Sequence, residues 1–268
     1  MNIWHLFSNL LTLHSGSKNI AKDLFKMRNA VHSSGSVLGK LHGDHACRKK
    51  PFTVFVEGNI GCGKTTFLSY FNQSEAQVIA EPIELWRNVN GHNLLGTLYE
   101  DPKRWGFLFQ SYVQLTMLDM HLTQTQRSLK LMERSVHSAR HCFVENLHRS
   151  KIITDAEMSV LDHWYKWIKT HADVEGDLIV YLQTKPEVVY ERMRARNRKE
   201  ENCVPLSYLQ QLHELHEEWL IQGSRISKPT QVIVVDANRD LDHMKGEFIR
   251  VKTLIVNELS HQVHSVSV

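Results

Sequence analysis

Cysteine is scarce and never grouped. The four cysteines, Cys47, Cys62, Cys142 and Cys203, form no CxxC or other metal-binding spacing. That excludes a zinc ribbon and a disulfide framework, and it suggests a reducing compartment. No run approaches the ~20 apolar residues of a membrane-crossing helix, so no membrane partner is expected. Charge of one sign is not in excess: 268 residues carry a formal net charge of +3, and the basic clusters are in the first fifty residues and the arginine run at 192–198 rather than on one broad face. A nucleic-acid-binding module is disfavoured on that ground. The base-reading N-K-x-D motif of GTPases does not occur, and there is no internal repeat. His213 and His216 stand three apart, not the four of H-E-x-x-H, and read as helix-surface residues rather than zinc ligands. The length suits one large α/β domain or two small ones.

Acids are nearly missing from the first fifty residues, where only Asp23 and Asp44 occur against eight lysines and arginines. Ile3, Trp4, Phe7, Leu10 and Leu11 would share one helix face. An acid-poor, Ser-containing, amphipathic segment reads as a mitochondrial transit segment. Against it, the first seventeen residues hold no Lys or Arg, and the alternative is an extension without targeting value in a cytoplasmic protein. Residues 1–50 are therefore set apart from a domain over 51–260 and a tail over 261–268.

The stretch Gly58-Asn59-Ile60-Gly61-Cys62-Gly63-Lys64-Thr65-Thr66 fits G-x-x-x-x-G-K-[ST]. Such a loop turns backbone N–H groups toward phosphate oxygens, its Lys (Lys64) reaches the β- and γ-phosphates, and its Thr (Thr65) hydroxyl sits on Mg²⁺. The glycines permit close approach and positive φ. The apolar run Phe52 to Glu57 precedes it as a buried strand, and a helix is expected to open near Lys64 with its positive end at the anion. Cys62 reads as a small residue that fits, or as a thiol activated by the helix terminus.

Further strands are expected at 77–80, 129–132, 177–182 and 231–236, each followed by helical periodicity. Five apolar strands alternating with helices make a parallel sheet covered on both faces, with all strand ends on one edge. Glu81-Pro82 ends the second strand at that edge, where Glu81 reads equally as a general base or as a solvated carboxylate. Glu133-Arg134-Ser135 ends the third. A long helix is expected from about Lys103 to Gln126, with Phe107, Leu108, Val113, Leu115, Leu118 and Leu122 mostly in the core. Asp155 is expected to cap the next helix, whose Leu161, Trp164, Tyr165, Trp167 and Ile168 read as core or as a dimer seam. Arg192, Arg194, Arg196 and Arg198 lie within seven positions and read as a lid that neutralises a transferring phosphoryl group.

Taken together, the phosphate loop, Glu81-Pro82, Trp86-Arg87-Asn88-Val89-Asn90-Gly91, Phe109-Gln110-Ser111-Tyr112, Glu133-Arg134-Ser135 with Ser138-Ala139-Arg140, and Glu201-Asn202-Cys203-Val204-Pro205-Leu206 resemble the deoxyribonucleoside kinases. Within that family the likeness is to the insect multisubstrate and mitochondrial thymidine kinase branches. It spans about Pro51 to Asp236. The resemblance implies a P-loop kinase fold with an Arg-rich lid, ATP and Mg²⁺ as cofactors, a deoxynucleoside substrate, a homodimer and feedback inhibition by the end-product triphosphate. Glu81 would take the proton of the 5′-hydroxyl, Arg134 would hold the developing charge, and Glu133 would lie near the metal with Thr65. Gln110 would pair with the base edge, Trp86 and Phe143 would sandwich the base, and Tyr99 and Glu201 would bind the sugar 3′-hydroxyl. The base pocket would include Val113, Met117 and Ala139. The deoxycytidine kinase branch carries charged groups where Met117 and Ala139 stand, so thymidine and deoxycytidine are expected here, with purine deoxynucleosides poorer. Cys62 departs from the serine common at its position. Two other classes stay open on sequence alone: a nucleotide monophosphate kinase, which needs extra fixed cations at its acceptor, and a non-catalytic nucleotide-binding protein, which would have no need of Lys64, Glu81 or the lid arginines.

Overall fold

A computed structural model describes residues 50–223 and 231–265, with side-chain surroundings described as far as residue 260. Residues 1–49, on which the transit-type reading rests, and residues 266–268 of the tail lie outside the described residues.

A five-stranded, all-parallel sheet organises the chain. Its strands are β1 (Phe52–Glu57), β2 (Gln77–Ile79), β3 (Leu129–Glu133), β4 (Leu178–Gln183) and β5 (Gln231–Asp236), in the spatial order β2-β3-β1-β4-β5. β1 is central, pairing Val54 with Leu131 on one side and with Leu178 on the other. All six of its residues are buried, because helices cover both faces and no alternation with polar residues is needed. Phe55, Leu131, Leu178 and Leu182 are the central packing residues, each essentially without exposed surface. Truncating one, such as Leu131→Ala, is expected to cost about 2–5 kcal/mol through lost burial and a residual cavity.

The helices are α1 (Lys64–Leu68), α2 (Ile83–Arg87), α3 (Leu94–Glu100), α4 (Pro102–Leu122), α5 (Val136–Ser138), α6 (Glu145–Arg149), α7 (Asp155–His171), α8 (Pro186–Arg196), α9 (Leu206–Leu220) and α10 (Leu241–Ser265). A π-helical stretch, Ala139–Val144, joins α5 to α6, and a 3₁₀ turn, Lys199–Cys203, joins α8 to α9. Asp101 caps α4 by accepting from Arg104 N, with Pro102 in the first turn.

Several expectations are corrected. α4 stops at Leu122, not near Gln126. Its leucines are not mostly core: Leu108, Leu115 and Leu122 are exposed, and the buried face carries Phe109, Gln110, Val113, Met117 and Met120. Both rows satisfy helical spacing, and only the position of the sheet decides which one turns inward. On α7, likewise, Leu161, Tyr165 and Ile168 are buried while Trp164 and Trp167 are exposed. Thr154, not Asp155, caps α7, through a capping box with Glu157. His216 is not a surface residue. It is fully buried, its ring stacked on that of Tyr181 at 6.0 Å between centroids, and its Nδ1 lies 2.6 Å from the Leu212 carbonyl oxygen. α10 runs past Leu259 to Ser265.

Candidate active site

The carboxyl edge of the sheet gathers the loop after β1, Glu81 after β2 and the turn after β3, as a parallel sheet requires. In the phosphate loop Gly58, Gly61 and Gly63 have φ of 139°, 79° and 103°. A Cβ at Gly58 would lie 2.8 Å from both Cys62 Sγ and the Leu182 carbonyl oxygen, so only glycine fits there. Asn59 braces the loop: its Nδ2 donates to Leu209 O at 2.8 Å and its Oδ1 accepts from Ile60 N at 2.8 Å. α1 opens at Lys64, as expected, and Lys64 Nζ donates to Asn59 O at 2.8 Å. Cys62 is buried, in keeping with a small residue that fits.

Two cavities meet at this loop. The first, of about 350 Å³, is lined by Glu81, Trp86, Tyr99, Gln110, Val113, Met117, Arg134, Ala139, Phe143 and Glu201, along with Lys64, Thr65, Glu133, Arg196 and Arg198. All ten of the residues assigned to substrate from the family resemblance therefore line one space. The second, of about 460 Å³, lies over Gly61–Thr66 and is lined also by Arg192, Arg239 and Phe248. Lys64, Thr65, Glu133, Arg196 and Arg198 line both. Both volumes are of small-molecule size.

At the junction, Thr65 Oγ1 donates to Glu133 Oε1 and Oε2 at 3.0 and 3.1 Å. This hydroxyl–carboxylate pair is the hard oxygen donor set suited to Mg²⁺, which takes one or two protein ligands and completes its shell with water and phosphate. Glu81 Oε1 lies 3.0 Å from Arg134 Nε. Burial pushes the Glu81 carboxyl above its ordinary range, while the charges of Arg134 and Lys64 hold it back. Arg134 also donates from Nη1 to Gly58 O at 2.8 Å and sits 4.6 Å from the Phe143 ring centre. It does so from a left-handed backbone, φ 65°, a conformation that costs a non-glycine residue about 1–2 kcal/mol. The residue holds that conformation because its N–H donates to Val56 O at 3.0 Å and its guanidinium has these partners.

The π-helical stretch carries Ala139 and Phe143 to the cavity wall, and its wider turn is a feature often found at functional sites. Gln110 is buried and its Oε1 has no hydrogen-bond partner. Such an atom costs about 1–3 kcal/mol unless something in the cavity donates to it. Trp86 is fixed by donating from Nε1 to Thr116 Oγ1 at 2.9 Å. Burial raises the Tyr99 phenol well above its ordinary value, which leaves it a neutral hydrogen-bonding group.

The four lid arginines part company. Arg196 and Arg198 point to the junction and bind Glu201, with Arg196 Nη2 at 2.8 and 2.7 Å from its two oxygens. Arg192 donates to the carbonyls of Ala237, Asn238 and Arg239 beside the second cavity. Arg194 lines neither cavity and donates to Asn202 O at 3.1 Å, so its expected place over the phosphates is not what the structure shows. On a helix, 194 faces away from 192, 196 and the turn that carries 198.

Glu57, Tyr208 and, within the Glu133-Arg134-Ser135 motif, Ser135 were given no role from the sequence. Glu57 is wholly buried at the end of β1, and its Oε1 accepts from Ser135 Oγ at 2.6 Å. A lone acid closing an apolar strand was its signal. Tyr208 lines the first cavity but belongs to no motif, so nothing in the sequence singled it out.

A phosphate loop whose Lys and Thr serve two adjoining cavities, with a carboxylate poised in only one, defines a phosphoryl-transferring enzyme. A sequence model of the deoxynucleoside kinase family matches residues 54–261. The human protein "Thymidine kinase 2, mitochondrial" is 49% identical over 198 residues, covering 74% of this chain and 75% of the relative. Human "Deoxycytidine kinase" is 33% identical over 218 residues (70% and 84%), and chicken "Deoxycytidine kinase 2" is 33% identical over 239 residues (77% and 90%). The chain belongs to the deoxynucleoside kinase family, and its activity is ATP-dependent phosphorylation of deoxynucleosides.

Proposed function

We propose that the chain phosphorylates the 5′-hydroxyl of thymidine and deoxycytidine, with Glu81 as general base. The observation that supports this best is the shared junction: Lys64, Thr65, Glu133, Arg196 and Arg198 line both cavities, while Glu81, Gln110 and the aromatic wall line only the first. The nucleoside occupies the first cavity, its base between Trp86 and Phe143 and its donor edge at the unpartnered Gln110 Oε1. Tyr99 and Glu201 take the 3′-hydroxyl. That leaves the 5′-hydroxyl near Glu81, which accepts its proton as the oxygen attacks, and Arg134 holds Glu81 and the reacting oxygens in register. Lys64 and the phosphate-loop amides receive the donor phosphates, and Arg196 and Arg198 face the equatorial oxygens in the transition state. Mg²⁺ held by Thr65 and Glu133 would neutralise phosphate charge.

The base end of the first cavity presents Met117 and Ala139, both buried and uncharged. This supports pyrimidine use and gives no special grip on a purine. Of its cations, Lys64, Arg196 and Arg198 also line the second cavity, where the donor phosphates need them, and Arg134, which lines the first alone, is engaged with Glu81 and the Gly58 carbonyl. A monophosphate acceptor would demand another, which disfavours the nucleotide kinase reading. The test is ATP-dependent turnover of the four deoxynucleosides with thymidine monophosphate as control. Turnover of the monophosphate alone would refute the acceptor assignments.

Two further parts of the reading concern assembly and place. Leu108, Leu115 and Leu122 on α4 and Val160, Trp164 and Trp167 on α7 form exposed apolar stripes on neighbouring helices. A second copy covering them gives a homodimer packed helix on helix. The composition of the first fifty residues, together with a mitochondrial relative, supports a mitochondrial location. Residues 1–50 fused to a fluorescent protein should direct it there; a diffuse cytoplasmic signal would refute it.

A further inference from the structure

Two charged residues beside the site line neither cavity and have no part in the chemistry described. Arg87 ends α2, next to Trp86, and Glu200 lies in the 3₁₀ turn, next to Glu201. They meet as a fork, Arg87 Nε to Glu200 Oε1 at 2.9 Å and Nη2 to Oε2 at 3.1 Å. Asn93 Nδ2 adds a contact to Oε1 at 3.4 Å, and Arg87 Nη1 donates to Glu84 Oε1 at 2.7 Å. The side chains of Arg87 and Glu200 are 28% and 13% exposed, so water screens the pair less than an ordinary surface ion pair. A planar two-point fork also fixes orientation, which a single contact does not.

Consecutive residues of a 3₁₀ turn point about 120° apart. Glu200 accordingly reaches back to α2, while Glu201 binds Arg196 and Arg198 and lines the first cavity. One short turn is thereby tied to the helix bearing the base-stacking Trp86 on one side and to the lid arginines of the second cavity on the other. We propose that the Arg87–Glu200 fork is a positioning pair that couples the two substrates. By fixing the 199–203 turn on α2, it makes capture of the nucleoside sugar by Glu201 and placement of Arg196 and Arg198 over the donor phosphates a single event. Without the fork, Glu201 retains its arginines but the turn loses its fixed distance from α2, and each substrate binds without aiding the other.

This rests on the two-substrate reading above, and the test separates the two. The dissociation constant of a non-hydrolysable ATP analogue with Mg²⁺ is measured with and without saturating nucleoside, using the better of thymidine and deoxycytidine, in the wild type, Arg87→Met, Glu200→Gln and the double variant. The wild type should bind the analogue more tightly with nucleoside present. Each single substitution should remove most of that gain, a loss of about fivefold or more, and the double variant should lose no more than either single, as for residues that act only as a pair. Nucleoside KM should rise more than kcat falls, and Arg87→Lys, which keeps the charge without the fork, should recover only part of the gain. An unchanged gain in the single variants overturns the inference, as do additive losses, a wild type without any gain, or a fall in Tm with the gain intact. If the wild type phosphorylates neither nucleoside, the functional reading itself has failed.

Discussion

Glu57 offers a stability test that does not depend on catalysis. Burial pushes its carboxyl from 4.5 up to about 7, against the opposing pull of the Ser135 hydrogen bond, Arg134, Ser138 and Lys64. The folded protein therefore keeps a proton on Glu57 between those values, where the unfolded chain has lost it. Ionising the folded carboxyl costs about 1.4 kcal/mol for each unit of displacement, on the order of 3 kcal/mol in all. That stability is present below pH 4.5 and is lost as pH rises to about 7. His216 works the other way in the same window: burial pushes its ring from 6.5 down to about 3, so its contribution fades as pH falls below 6.5. The two slopes partly cancel in the wild type, so the useful quantity is the difference between Glu57→Gln and wild type. Glutamine keeps an acceptor for Ser135 Oγ and cannot ionise. Urea unfolding of both proteins at pH 5, 6, 7 and 8 should show the variant gaining on the wild type as pH rises, then levelling off above about pH 7. A difference that is flat from pH 5 to 8, or that shrinks with pH, would refute a raised Glu57 and with it the reading of β1 as dry to its last residue.

Other outcomes are expected at the site and on the surface. Glu81→Gln should retain nucleoside binding by calorimetry and lower kcat by roughly 10²–10⁴-fold, the worth of a placed general base; an unchanged kcat removes Glu81 from that role. Met117→Arg should depress thymidine phosphorylation, read as kcat/KM, far more than it lowers Tm, because it puts a charge against the base; equal activity would show that this wall does not meet the base. Trp164→Glu should convert a dimer to a monomer in light scattering coupled to size exclusion, with the far-UV spectrum unchanged; a monomeric wild type would refute the docking of a second copy on α4 and α7.

Much of the architecture was legible in the order of residues. β1 and β5 fall where their apolar runs predicted, and β3 and β4 agree to within a residue; β1, β3 and β4 are buried almost throughout, and a buried parallel strand leaves a continuous apolar signal, while β5 keeps that signal at the partly exposed sheet edge. The phosphate loop was legible because its glycines answer to backbone geometry that no other residue supplies at Gly58. Local chemistry of this kind is carried by neighbours in the chain. What the sequence could not decide were choices between equivalent faces and distant partners. Leu115 and Met117 are both apolar and two apart on one helix, yet Met117 is buried and Leu115 is 61% exposed. His216 looked like any helix histidine until the sheet closed over it. The left-handed Arg134 and the strand order β2-β3-β1-β4-β5 belong to the tertiary structure alone. Each depends on which surfaces meet, and that is set by the burial of the whole sheet rather than by the preference of any one residue.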